Sequence, residues 1–275
     1  MIFRISLKPI CFFLFSIFLS QTIIFNSFAQ ILNVDRITAD NDSATNKNLF
    51  AVVTMGLDIN QEDTRVINLT TSAEVDYKLQ NNLIIFISEY NLTSTEDVSL
   101  INAGYSHLRF RFNRGTNIQP ELFTQYQWNG VRGMKSRFLT GAGLRFPLNK
   151  DSLNVSYFAI GLMNEWETWD YRIVPAVEIP LNSEEKQTNC IKLNCYYNMS
   201  WKIQKNIDLS FILYIQSQPN ANIIYPRISP SMQLNFAISE KITISLITDG
   251  FYDSKPVVPI RKFFYDFSSA INIQI

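Results

Sequence analysis

Over most of its length the chain alternates apolar and polar residues with a period of two, in runs of ten residues or more. Ile191, Leu193, Cys195, Tyr197, Met199 and Trp201 alternate with Lys192, Asn194, Tyr196, Asn198, Ser200 and Lys202. Ile207, Leu209, Phe211, Leu213 and Ile215 repeat the pattern, as do Ile228, Pro230, Met232, Leu234, Phe236 and Ile238. Such a period gives each strand one apolar and one polar face. Twelve segments of this kind are centred near Val53, Ala73, Phe86, Tyr105, Thr124, Gly141, Ala159, Tyr196, Phe211, Gln233, Leu246 and Ala270. Soluble strands cluster near five or six residues, whereas a tilted strand crossing lipid needs about 9 to 11. Their length predicts strands that span a membrane.

The first 29 residues do not share the pattern. Arg4 and Lys8 precede an apolar run from Ile10 to Phe25, and Ser27 and Ala29 place small residues before Gln30. That order predicts a secretory signal peptide over residues 1–29, cut after Ala29. Residues 30–47 are polar and lack alternation, which predicts a loose periplasmic lead-in, and residues 48–275 form the strand-bearing domain. Losing Arg4 and Lys8 turns 24 basic and 24 acidic residues into 22 and 24. A nucleic-acid partner would need a basic stripe, so none is expected. Every later apolar run is too short for a spanning helix, and a chain that crosses lipid without helices must do so as a closed barrel. The expected fold is therefore all-β: a closed antiparallel up-and-down transmembrane β-barrel of about 12 strands.

Connection lengths point the same way. Short turns are expected at Gln80–Asn82, Asn113–Asn117, Asn149–Ser152, Gln204–Asn206 and Ser239–Lys241. The opposite end carries Asp170–Thr188, Gln218–Pro226 and Asp253–Lys262. Short periplasmic turns, longer outer loops and an even strand count are the pattern of barrels in the bacterial cell outer membrane. Trp128, Trp166 and Trp169 would sit in the outer aromatic girdle and Trp201 in the inner one. Cys190 and Cys195, five apart in one strand, lie about 16 Å apart at the strand rise, too far for a disulfide. With His107 the only histidine, neither a metal nor any other cofactor is expected.

The densest polar patterning lies mid-chain. His107, Arg109 and Arg111 share one face of the fourth segment. Gln119, Glu121, Phe123, Gln125 and Gln127 share one face of the fifth, and Arg137, Gly141, Gly143 and Arg145 one face of the sixth. This succession, over about Ser106 to Leu148, resembles the family called domain of unknown function 481, often labelled salt-induced outer-membrane proteins. The resemblance implies an outer-membrane barrel and brings no activity or substrate. Ser268, Ala270, Ile273 and Ile275 resemble the terminal-strand signal of such barrels, with Ala270 for the usual glycine and Ile275 for the usual aromatic. That likeness implies recognition by the barrel-assembly machinery through the C-terminal strand.

From the residues alone, His107, Arg109, Arg111, Glu121, Gln125, Gln127, Arg137 and Arg145 are expected to form a lumen network. Phe110, Phe138, Leu144 and Phe146 would face lipid. A turn centred at Gly115 would set Arg109 opposite Glu121 and His107 opposite Phe123. The next loop would bring Gln127 near Arg137, and Glu121 near Gly141 and Gly143, whose missing side chains leave room for the long ones. The functional expectation is a structural or narrow-channel barrel with outer-membrane lipid as its surroundings and no enzymatic activity; the oligomeric state is open. Two alternatives stand beside it. An outer-membrane lipid hydrolase would need a nucleophile and base, and Ser106, next to His107, points to the opposite face. An adhesion barrel would act through the Asp170–Thr188 loop, with its Glu184 and Glu185. A secreted β-sandwich is the soluble alternative.

Overall fold

The computed structural model describes residues 48–61, 64–95, 98–151, 153–171, 184–239 and 242–273. The signal peptide and lead-in expected over 1–47, Ile275 of the terminal pattern, and most of the 170–188 loop lie outside these residues. Twelve strands follow in order: β1 (Leu49–Gln61), β2 (Arg65–Leu79), β3 (Asn82–Thr95), β4 (Val98–Arg111), β5 (Gln119–Asn129) and β6 (Met134–Lys150). The second half comprises β7 (Asn154–Asp170), β8 (Glu185–Gln204), β9 (Ile207–Ser217), β10 (Arg227–Ala237), β11 (Ile242–Asp253) and β12 (Phe263–Ile273). All twelve predicted segments are strands. They form one antiparallel up-and-down sheet in sequence order. Among the described residues no helix is long and apolar enough to cross a membrane, a statement that leaves strands aside.

The register carries one apolar face across the whole sheet. From Leu57 in β1, opposite Leu69 in β2, the outward set includes Phe86, Leu108, Leu122, Phe138, Leu162, Ile191, Leu213, Met232, Leu246 and Ile271. The alternate set faces inward. Contacts between strands far apart in the sheet show that this inner face curls onto itself. Arg109 on β4 reaches Tyr214 on β9, and Arg227 on β10 reaches Glu165 on β7.

Closure is corrected in one respect. No ladder joins β1 to β12 among the described residues, so the sheet is curled but not closed by hydrogen bonds. The physical reason lies in where the long inner side chains are. From β2 to β12 the inner face has buried or packed side chains, among them Asp76, Glu89, Arg109, Arg227 and Phe264. The inner residues of β1 include Thr54 and Gly56, and even Phe50 and Val52 stay exposed, so no side chain of β1 is buried on the inner face.

The interior is also less uniformly polar than expected. Leu83, Ile85 and Ile87 on β3 pack inward with Tyr105 of β4. A second group joins Ala159, Tyr196, Ile212, Tyr214 and Phe251. Trp169, expected in the outer girdle, points inward instead and is buried with Met134, Tyr171 and Val258. Its ladder partner Lys186 lies two residues from Thr188, the partner of inward Glu167, and parity therefore turns Trp169 inside. Trp128, Trp166 and Trp201 hold the outward parity.

Candidate functional site

The inner face holds two charged clusters, each built from strand residues at alternate positions. All eight residues expected to line a lumen are on this face and buried. One register differs. Arg111, not Arg109, lies opposite Glu121; Arg109 lies opposite Phe123 and His107 opposite Gln125. The cause is the β4–β5 turn. Asn113 takes a left-handed φ of 52°, the Thr116 amide donates to the Asn113 carbonyl, and the turn therefore centres one residue later than Gly115. Gln127 does face Arg137, and Glu121 faces Gly143.

Glu121 organises the first cluster. Arg111 Nε donates to its Oε1 at 2.7 Å, Tyr196 Oη donates to its Oε2 at 2.7 Å, and Arg109 Nη1 stands 3.7 Å away. The Arg109 guanidinium also lies between the rings of Phe123 and Tyr196, 5.6 and 5.3 Å from their centroids. Arg145 donates to Gln119 Oε1 and stacks on Tyr157. His107 Nδ1 is 2.9 Å from Gln125 Oε1, its ring stacks on Phe123, and Gln125 donates onward to Gln127. Ser106 lies on the other face, hydrogen-bonded to Ser88.

The second cluster was largely missed by sequence reasoning, which singled out only its Arg137. Glu165 accepts from Arg137 Nε at 2.6 Å and Arg227 Nη1 at 2.9 Å, and pairs with Lys192. Glu167 pairs with Arg137 and Arg227 at 3.3 and 3.1 Å. Asp253 takes two bonds from Arg227, and Gln216 links Arg137 to Asn194. The available signal was parity: Glu165 and Glu167 share the inward phase of β7, opposite Cys190 and Thr188. Cys190 is therefore inward and Cys195 outward, and both thiols are free.

At the same end, Asn129 Oδ1 caps the short turn Gly130–Arg132 and Gly133 closes it at φ 74°. This tucks Arg132 inward over the rings of Phe264 and Phe251, at 4.2 and 5.5 Å. Burial pushes its guanidinium down to about 10, so it is charged at neutral pH.

The fold and its inner face define a twelve-stranded antiparallel meander with an apolar outside and a paired-charge inside. No family model matches this chain, and no curated protein does. A solved structure described as the NanC porin in a rhombohedral crystal form is similar to it at a TM-score of 0.42 and 11% identity, over 81% of this chain and 99% of that one.

Proposed function

We propose that the chain is an integral outer-membrane β-barrel protein in which β1 and β12 meet to complete the cylinder, with a structural or narrow-channel role. One observation carries this reading. The side that meets the surroundings is the apolar one, with Val53, Met55, Leu57, Leu122, Leu162, Ile191, Tyr265 and Phe267 all exposed, while Arg109, Arg111, Arg137, Arg227, Glu121, Glu165 and Glu167 are enclosed. A soluble monomer rarely exposes a contiguous apolar patch beyond a few hundred Å². Here the apolar parity runs through every strand.

Dimensions agree with a bilayer. The shortest strands have 11 residues, about 36 Å along the strand. At a barrel tilt of about 40° this covers about 28 Å, against an apolar band of about 25 Å. Closure would also remove the two free edges, whose unpaired backbone groups lipid cannot satisfy. The family resemblance over Ser106 to Leu148 belongs to the same reading. The test is extraction and electrophoresis of the mature chain. Partition into detergent, with different migration before and after boiling, supports it. A compact monomer that stays in solution without detergent overturns it.

A further inference from the structure

The second charged cluster borders a cavity of about 240 Å³ at the loop-bearing end of the sheet. At about 30 Å³ per water, that is room for about eight waters or a compact organic solute. Its floor is the Glu165, Glu167, Arg227 and Asp253 network, and Lys186 and Lys255 stand at its exposed rim.

Charge accounting shows what the cavity would accept. The three carboxylates are each held by cations: Glu165 by Arg137, Lys192 and Arg227, Glu167 by Arg137 and Arg227, Asp253 by Arg227. Those three cations balance those three carboxylates. Lys186 and Lys255 are then in surplus, and among the described residues no carboxylate pairs with either. Among the described residues, Lys255 Nζ meets the Asn222 amide oxygen at 3.4 Å and the Tyr225 ring. Behind the floor, Phe251 is flanked by Arg227 and by Arg132. Arg132 is a further buried cation, and among the described residues its Nη1 has no hydrogen-bond acceptor. The lining carries both signs, Lys186, Lys192, Arg227 and Lys255 against Glu165, Glu167 and Asp253, and its net surplus is positive, which favours an anion over a cation.

We propose that this cavity binds a small oxyanion, a carboxylate or phosphate group on a compact polar solute, gripped by Lys186 and Lys255 at the rim. Thr188, Gln218 and Asn222 in the wall supply partners for hydroxyl groups. The inference goes beyond the membrane reading, since the cavity belongs to the curled sheet itself.

Cys190 lines the cavity and serves as a native reporter. In a Cys11→Ser, Cys195→Ser variant, labelling rates are measured with two methanethiosulfonate reagents of similar size, one bearing a sulfonate and one a trimethylammonium. Each rate is divided by that reagent's rate with free 2-mercaptoethanol. The expected result is a normalised preference of at least tenfold for the sulfonate. The preference should fall severalfold in Lys186→Gln, Lys255→Gln, and inorganic phosphate should slow the sulfonate's reaction saturably. Equal rates, a cationic preference, or no labelling by either reagent would overturn the site. Migration before and after boiling, followed on the same samples, reports separately on the barrel.

Discussion

Glu121 and Glu185 are both paired with basic residues, yet their surroundings predict opposite consequences of removal. Glu121 is enclosed with Arg109, Arg111 and Tyr196. Breaking a buried pair by deleting one partner costs about 3–5 kcal/mol, because the remaining charge is left uncompensated. Glu121→Ala should therefore lower the melting temperature and the folded fraction in detergent. An unchanged thermal transition would show that the cluster adds nothing to stability. Glu185 pairs with Lys135 while both stay over a third exposed, and such pairs are worth about 0–1 kcal/mol. Glu185→Ala should leave the same transition within error. At this scale alternation was enough to tell which residues share a face, because side-chain direction in a strand depends on parity alone. It could not separate Glu165 and Glu167 from ordinary solvated positions. Their role depends on Arg227, some 60 residues away in sequence.

Strand pairing is set by turns and by close backbone approach, and each yields a prediction. Gln80 occupies a left-handed φ of 51° in the turn between β2 and β3. Non-glycine residues lose about 1 kcal/mol there, so Gln80→Gly should raise the melting temperature slightly; a fall would mean the Gln80 side chain has a role of its own. Between β6 and β7, Gly143 and Gly161 face each other. A methyl group on Gly161 would meet the Ala142 carbonyl and stand 2.7 Å from Gly143 Cα. Backbone cannot yield as a flexible side chain can, so Gly161→Ala should reduce the yield of folded, heat-modifiable protein. Normal folding yield would show that the two strands can separate locally. The sequence reading gave Gly141 and Gly143 a different job, making room for long side chains. The structure instead has Gly141 covered by Phe123, 2.5 Å from where a methyl would sit. The Arg109 register had a separate origin, a one-residue error in the β4–β5 turn centre that shifts the pairing by two residues.

At the scale of the molecule, the inner face closes on itself wherever its side chains are long. Tyr196 reaches Glu121 across two intervening strands, Arg109 reaches Tyr214 across four, and Arg137 reaches Gln216 across two. In a completed barrel these contacts would obstruct the axis, so steady conductance in a planar bilayer should be small or absent. Tyr196→Ala together with Tyr214→Ala should raise it. A large basal conductance, or none gained in the double variant, would contradict an axis blocked by these rings. The twelve segments, their antiparallel order and, away from the irregularity between Met134 and Ser136, the face that each residue takes were settled by the chain's own two-residue rhythm, which is a local property of extended backbone. The partners of Glu121 and Glu165 and the cavity beside Cys190 were decided only by the curl of the sheet. Those contacts join strands that no local pattern relates, and their geometry follows from how far long side chains on opposite walls can reach.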